Sequence, residues 1–374
     1  MSGGTAPERS FYEGRTVLVT GHTGFKGSWL ATWLHMLGAR VIGFALPPEE
    51  GPLSMFESTG IARRITSIEA DVRNADAVEA CLRQHAPEVV FHLAAQSLVR
   101  RSYADPISTF ATNVLGTAHV LHAALHTPSV RSVVVVTSDK CYDNAGSGKA
   151  FAESDPLGGS DPYSASKACA ELVTAAYRLS FARDRATAPG LGSARAGNVI
   201  GGGDWCEDRL VPDVMRAIQG ERPLILRNPD SVRPWQHVLE PLRGYLLLAE
   251  RLAADGAKFG SSWNFGPRDE DAIPVRELVN RLAAAWPNRQ LDVRVEAAGL
   301  HEAAVLRLDT TRARTRLGWQ PALSIDEAVA LTVAWYRDSS ADPSSADRIT
   351  MEQIGAYERL AATRSGRGLT AAAL

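Results

Sequence analysis

The sequence has no surplus of charge of either sign: 40 Lys+Arg stand against 42 Asp+Glu, a formal net charge of −2 over 374 residues. Without a net positive field a chain cannot gather polyanions or an anionic bilayer, which argues against nucleic-acid and membrane partners. Cysteine is scarce, limited to Cys81, Cys141, Cys169 and Cys206. No C-x-x-C pair and no histidine at zinc-finger spacing accompanies them, so neither a disulfide framework nor a structural metal is expected. Free thiols suit a reducing compartment, and a cytoplasmic protein is expected. No run of about 18 apolar residues occurs, and Met1 to Ser10 is polar, without the apolar stretch of a secretory signal. A short loose leader over residues 1–13 is expected instead. Aromatic residues are few, at 7%, beside 45% hydrophobic and 22% charged residues, proportions of an ordinary folded enzyme. There is no internal repeat, and the length allows two domains or one large domain with lobes.

What is present is a succession of short apolar runs rich in β-branched residues: Thr16 to Thr20, Val41 to Leu46, Ile65 to Val72, Val89 to Ala95 and Val133 to Thr137. Helix-period segments separate them, the signature of βαβ units feeding a parallel sheet. Between the first two runs, Trp29, Leu30, Trp33, Leu34 and Leu37 form one helical stripe, and Gly38 is placed as a stop. The style changes near residue 195, with Pro-interrupted segments from Gly201 to Gln236 and then helices over Pro241–Ala254, Glu277–Ala285 and Asp326–Tyr336. Asp338 to Asp347 reads as a turn or linker before a last helix, and Arg364 to Leu374 as a frayed tail. The expected organisation is a dinucleotide-binding domain over 14–195, to which segments around 231–260 return, a smaller lobe over 196–337, and a linker, helix and tail over 338–374.

Two motifs carry chemistry. Val17 to Thr20 runs into Gly21-His-Thr-Gly24-Phe-Lys-Gly27 and then the Trp-rich helix. Glycines there permit a tight turn, close approach of backbone to a pyrophosphate, and tight helix-to-strand packing, while the helix start offers free N–H groups. The acidic residue that usually holds the adenosine ribose is missing from Val41 to Leu46, and Glu49 and Glu50 come late. No Arg or Lys stands there for a 2′-phosphate, which favours NAD over NADP. Asp71 could meet the adenine amino group or simply cap the next helix. The second motif is Tyr163-Ser-Ala-Ser-Lys167. At i and i+4 on a helix the ammonium lies beside the phenol, and that fixed cation together with a bound nicotinamide cation favours phenolate, as removal of a hydroxyl proton during hydride transfer requires.

Taken in order, Thr20 to Gly27, His92 to Tyr103, Thr112-Asn-Val-Leu-Gly-Thr117, Thr137-Ser-Asp-Lys-Cys-Tyr142, Tyr163 to Lys167, Arg195 to Trp205 and Arg233-Pro-Trp-Gln-His237 resemble the extended short-chain dehydrogenase/reductase superfamily. Within it the chain is similar to the CDP-glucose 4,6-dehydratase family, by the Gly-His-Thr-Gly-Phe-Lys-Gly loop, by Ser-Asp-Lys where most nucleotide-sugar 4,6-dehydratases have Thr-Asp-Glu, and by Gly-Gly-Gly-Asp-Trp. The resemblance covers residues 14 to 337. It implies an α/β fold, a Rossmann-like doubly wound parallel sheet with a smaller α/β C-terminal substrate-binding lobe, and a homodimer or dimer-based oligomer. It implies C4 oxidation, elimination of water across C5–C6 and return of the hydride to C6, with NAD as cofactor and a nucleotide sugar as substrate. A dTDP- or other NDP-glucose 4,6-dehydratase and an NDP-sugar 4-epimerase are the alternatives.

The resemblance also implies roles. Tyr163, Lys167 and Ser138 serve oxidation, Asp139 is the general acid for the C6 hydroxyl, and Lys140 stands where related enzymes hold the C5 base. The cofactor is expected against Gly21, Thr23, Gly24, Phe25, Lys26, Gly27, Asp71, Val72, Leu93, Ala94, Ala95, Thr112 and Thr137, with Tyr163 and Lys167. The substrate is expected against Gln96, Asn198, Arg209, Leu210 and Arg233, the arginines offering fork geometry to a diphosphate. Trp205 and Trp235 flank sugar or base, or simply pack; His22 is read as a loop residue that fixes geometry, and His237 as a support rather than an acid or base.

Overall fold

The apolar runs become strands because both of their faces are covered. In chain order they are β1 (Thr16–Thr20), β2 (Arg40–Ala45), β3 (Thr66–Glu69), β4 (Val89–His92), β5 (Ser132–Val136), β6 (Ala150–Phe151) and β7 (Gly190–Ala196). They are followed by β8 (Val199–Ile200), β9 (Leu224–Leu226), β10 (Val232–Pro234), β11 (Gln236–His237), β12 (Ser262–Phe265), β13 (Ala272–Pro274), β14 (Val293–Val295) and β15 (Arg307–Leu308). This computed structural model describes residues 7–48, 54–144, 146, 148–182, 187–220, 222–286, 291–296 and 305–371. A seven-stranded sheet runs in the order β12-β7-β5-β4-β1-β2-β3, and every pairing in it is parallel. The order reverses between β1 and β4, which is where such sheets bind ligands, at the carboxyl ends of the strands.

Alternation along each strand sorts the side chains into two cores. Val17, Val19, Val89, Phe91, Val134 and Val136 join Trp29, Trp33, Leu242 and Leu246 on one face; Leu18, Val90, Val133 and Val135 join Val78, Leu82, Val120 and Leu121 on the other. The first core rests on the helices Phe25–Met36 and Leu239–Ala254, the second on Ala75–His85 and Gly116–Leu125. After β7 the chain leaves the sheet for a lobe of short strand pairs, β8 with β11, β10 with β13 and β9 with β14. It returns in the helix Leu239–Ala254, which packs on β5 and β7, and in β12, which pairs with β7.

Several boundaries depart from the sequence expectation. β3 stops at Glu69 and β4 at His92, so Asp71 and Leu93 to Ala95 lie in the loops above the sheet. The helix expected over Asp326–Tyr336 runs from Ile325 to Ala341, started by a Ser324–Glu327 capping box. Buried Val333, Trp335 and Tyr336 hold its face down, and the Ser- and Asp-rich composition that suggested a linker does not break it. The break falls at Asp342-Pro343, after which a helix over Ala346–Ala371 packs on the helix Phe25–Met36. The expected frayed tail is therefore helical to Ala371, and Arg364 is bonded to both Glu327 oxygens at 2.8 and 2.7 Å; residues 372–374 lie outside the described residues. Likewise the expected leader is anchored at Tyr12, fully buried with its hydroxyl donating to Leu246 O at 2.7 Å; residues 1–6 lie outside the described residues. No described helix is long and apolar enough to cross a membrane.

Candidate active site

The loop between β1 and the helix Phe25–Met36 is built by its glycines. Gly21 has φ +75°, and a Cβ there would stand 2.7 Å from Ala94 N; at Gly27 a Cβ would stand 2.0 Å from Gly21 O. The first fixes the loop against the end of β4, the second seats the helix on the loop. Gly24 is exposed and caps the helix with no side chain occupying its first-turn N–H groups, so the turn presents bare backbone at the switch between β1 and β4. That cradle fits the pyrophosphate of a dinucleotide. The Thr23 hydroxyl donates to Leu46 O at 2.8 Å, tying the loop to the end of β2. His22 turns inward: its imidazole lies over Gly43 of β2 and bonds Ser67 Oγ through Nε2 at 2.7 Å. Burial pushes its pKa down to about 4, and it plays no part at the reacting end.

Asp71, expected to reach adenine or to cap a helix, is not the helix cap. Its carboxylate takes the backbone N–H and Nε of Arg73 at 2.8 and 2.7 Å, which holds its pKa below the usual carboxylate value, and the cap of the helix Ala75–His85 is Asn74. Val72 O accepts from His119 Nδ1 at 2.9 Å, and Ala94 N donates to Thr20 Oγ1 at 3.2 Å. Leu93, Ala94 and Ala95 line the loop over the glycines, and Thr112 sits in a π-helical segment, Ala111–Leu115. That segment is opened by Asn113, which clamps Gln96 through both backbone groups at 2.9 Å and gives Nδ2 to Ser166 Oγ at 2.8 Å. Glu49 and Glu50 lie outside the described residues.

The reacting groups meet at the end of β5. Tyr163 and Lys167 share one face of the helix Pro162–Tyr177, capped by Asp161 and opened by Pro162 at its first position. Ser138 stands close enough to the Tyr163 phenol to favour its ionised form; its hydroxyl donates to Asp139 Oδ1 at 3.1 Å and accepts from Lys140 N at 3.2 Å. Ser138 and Asp139 are 6% and 3% exposed, and Asp139 Oδ2 has no partner among the described residues. Burial raises the Asp139 pKa, against the opposing pull of Lys140, Ser138, Arg233 and Lys26. Burial likewise pushes the Tyr163 phenol up to about 12 and the Lys167 ammonium down to about 8, while Lys167 Nζ donates to Val136 O at 3.2 Å. Desolvation is the largest influence on the phenol, and Ser138 and Arg209 are the neighbours that oppose it.

Two expected ligands use their side chains elsewhere. The Thr137 hydroxyl turns to Glu171, and its backbone N–H donates to Ala194 O at 2.9 Å. The Gln96 amide closes its own loop, accepting from Leu98 N at 2.6 Å and donating to Thr109 Oγ1 at 3.0 Å. On the lobe side, Arg233 is 7% exposed and close enough to Asp139 to lower its pKa. Arg209 donates to Asp204 Oδ2 at 3.1 Å and to Ser97 Oγ at 2.8 Å, bridging the lobe to the loop after β4. Leu210 opens the helix Leu210–Ile218, whose start has no side-chain cap. Asn198, between β7 and β8, accepts from Gln236 N at 3.0 Å through its carbonyl. Trp235 is a packing residue, 5% exposed with Nε1 on Ile273 O, and Trp205 stands edge-on to Tyr336.

Residues 18–332 match the family described as GDP-mannose 4,6 dehydratase. The chain belongs to the GDP-mannose 4,6-dehydratase family. It is 46% identical over 333 residues to CDP-glucose 4,6-dehydratase of Salmonella typhimurium, covering 88% of this chain and 92% of that one. DesIV, a dTDP-glucose 4,6-dehydratase of Streptomyces venezuelae solved with NAD bound, is similar with a TM-score of 0.73 and 27% identity, over 87% of this chain and 98% of that one. MoeE5 in complex with UDP-glucose and NAD is similar with a TM-score of 0.72 and 26% identity, over 87% of this chain and 99% of that one.

Within this 4,6-dehydratase framework two charged groups, Asp204 and Glu171, had no place among the sequence-expected site residues, and a third, Lys26, had only part of its place. Asp204 stands close enough to Lys26 and Arg209 to act on both, and Lys26, assigned only to the cofactor loop, faces Arg209, Asp139 and Lys167 as well. Its ammonium is pushed down to about 8 by burial and by the arginine. Glu171, one helical turn past Lys167, was signalled only by its i+4 spacing.

Proposed function

We propose that this chain is an NAD-dependent CDP-glucose 4,6-dehydratase, a carbon–oxygen lyase that forms CDP-4-keto-6-deoxyglucose. The observation that carries the reading is the placement of a buried carboxyl, Asp139, and an amine, Lys140, on one turn beside the Tyr163–Ser138 pair. Oxidation and re-reduction at C4, all that an epimerase needs, leaves no task for an acid and a base beside the phenol. The resemblance to the Salmonella enzyme supports the choice of CDP-glucose.

When bound, NAD supplies the acceptor for the C4 hydride and returns that hydride to C6. Tyr163 takes the proton of the C4 hydroxyl; Ser138 bonds the C4 oxygen, and Lys167 and Arg209 supply the positive potential that favours phenolate. The C4 ketone acidifies the C5 hydrogen, and Lys140 removes it. Asp139, whose carboxyl pKa is raised by burial, gives its proton to the departing C6 hydroxyl, and water leaves. Lys140 returns a proton to C5 as C6 is reduced. Arg209, Arg233, Asn198 and the start of the helix at Leu210 hold the diphosphate. Their local positive charge serves a dianionic substrate in a chain whose net charge is only −2.

The test is turnover of CDP-, dTDP-, UDP- and GDP-glucose by purified protein, read by the alkali-induced absorbance of a 4-keto-6-deoxy sugar. CDP-glucose should be consumed fastest with no net NAD reduction; CDP-galactose as product would replace the reading by epimerisation. The reading extends to assembly as a homodimer in the cytoplasm. Ile107, Leu115, Leu172, Leu179 and Phe181 are 78%, 56%, 58%, 55% and 46% exposed on helical segments that flank the sheet, a stripe that a second copy would cover. A Leu172→Glu chain should sediment as a monomer.

A further inference from the structure

Beneath the catalytic turn lies an ion pair that no step above uses. Glu171 and Arg195 are each 2% exposed, and Arg195 Nη2 donates to Glu171 Oε2 at 2.7 Å. Glu171 Oε1 accepts from the Thr137 hydroxyl at 2.5 Å, and Oε2 also accepts from Ser193 Oγ at 2.7 Å and Ser262 Oγ at 3.2 Å. Arg195 Nη1 donates to the Tyr142 hydroxyl at 2.8 Å, and its guanidinium lies 4.8 Å over the Tyr142 ring. The Tyr142 hydroxyl in turn donates a hydrogen bond to Asn264 Oδ1 at 2.7 Å, and its ring stacks on Phe151.

Thr137 and Tyr142 are the two residues that bracket Ser138-Asp139-Lys140-Cys141. One end of the catalytic turn is thus tied to the carboxylate and the other to the guanidinium of a single pair. A buried ion pair contributes little to stability, because desolvating two charges offsets most of their attraction, and well-packed apolar replacements are often neutral. What it supplies is fixed side-chain direction at both ends of a segment whose backbone makes one 3₁₀ turn and is otherwise held by single bonds, Thr137 N–H to Ala194 O and Gly158 N–H to Cys141 O, both at 2.9 Å. Proton transfer needs that, since a misplacement of about 1 Å costs roughly 10²-fold in rate.

We infer that Glu171 and Arg195 are positioning residues for the dehydration half of the reaction, holding Asp139 and Lys140 in register with Tyr163 by gripping Thr137 and Tyr142. The inference rests on the roles proposed above for Asp139 and Lys140. Its test is the double variant Glu171→Met/Arg195→Met, which removes both charges at similar volume, studied by single turnover with CDP-glucose. C4 oxidation, seen as formation of reduced cofactor, should stay near the wild-type rate, and KM should change little. Elimination should slow about 10²-fold, so that reduced cofactor accumulates. If the double variant does not fold, Tyr142→Phe, which cuts the guanidinium tie and leaves the ion pair in place, carries the same expectation. Equal slowing of oxidation and elimination in the folded variant would make the pair merely structural and overturn the inference. Asp139→Asn separates the two levels. A wild-type rate there overturns the acid assignment and this inference with it, whereas a slow Asp139→Asn beside a wild-type double variant overturns the positioning role alone.

Discussion

Gly197 stands just after β7, and a methyl group placed on it would lie 2.9 Å from Asp139 Oδ2 and 2.6 Å from Pro234 Cγ. Ordinary contact begins at 3.4 Å, so Gly197→Ala asks Asp139 to move by about half an ångström. The tighter contact, 2.6 Å to the rigid and buried proline ring on β10, has to be relieved by a backbone shift there, and Asp139 Oδ2, with no partner holding it among the described residues, gives way as well. General-acid catalysis contributes about 10²–10⁴-fold, and a displacement of this order should forfeit about 10² of it, about 2.7 kcal/mol in the barrier to elimination. Overpacking adds a fold destabilisation of about 1–3 kcal/mol, to be measured separately by thermal unfolding. Tyr163 and Ser138 are untouched by the methyl, so the burst of reduced cofactor on mixing with CDP-glucose should persist while the 4-keto-6-deoxy product appears about 10²-fold more slowly. A folded Gly197→Ala enzyme whose product forms at the wild-type rate would refute the placement of Asp139 as the acid.

Other expectations reach different parts of the molecule. Tyr163→Phe should abolish the burst itself, lowering C4 oxidation by about 10²–10⁴-fold; an unchanged burst removes the phenol from its role. Lys140→Ala should oxidise C4 and stall, with reduced cofactor persisting, and full dehydration would place the C5 base elsewhere. Burial depresses His22 to about 4 and His92 and His237 to about 3. Each is neutral in the fold yet protonated below about pH 6.5 when unfolded, so stability present above that pH is lost as pH falls, on the order of 3 kcal/mol per histidine by pH 4. A melting temperature that stays level from pH 7 to pH 4 would contradict this. Tyr357→Phe removes a donor to buried Glu240 Oε2 and an acceptor from Arg243. It should cost about 1–3 kcal/mol in chemical denaturation without changing kcat, and a neutral result would show that the Glu240 cluster does not fasten the terminal helix.

Local pattern determined a good part of this protein. Runs such as Thr16 to Thr20 and Val133 to Thr137 announce themselves as strands because a doubly covered parallel sheet requires continuous apolar residues, and Gly21 and Gly27 announce a cradle because no other residue fits there. The spacing of Tyr163 and Lys167 places both on one helical face whatever the rest of the chain does. Element ends were less legible: the helix Ile325–Ala341 ignores its Ser- and Asp-rich end because Trp335 and Tyr336 bury its face, a contact no window of sequence contains. Only the tertiary structure decided where the side chains of Thr137 and Gln96 point, since each found a partner supplied by the fold around it, Glu171 and Thr109, whereas Asp71 found Arg73 two residues on. It also decided the electrostatics. Adjacent cations would make Tyr163 acidic in water, but enclosure raises the phenol and the Asp139 carboxyl alike and lowers Lys167 and Lys26. A residue's type and spacing state what chemistry it can do, while its charge state is set by the loss of water around it, which belongs to the folded molecule as a whole.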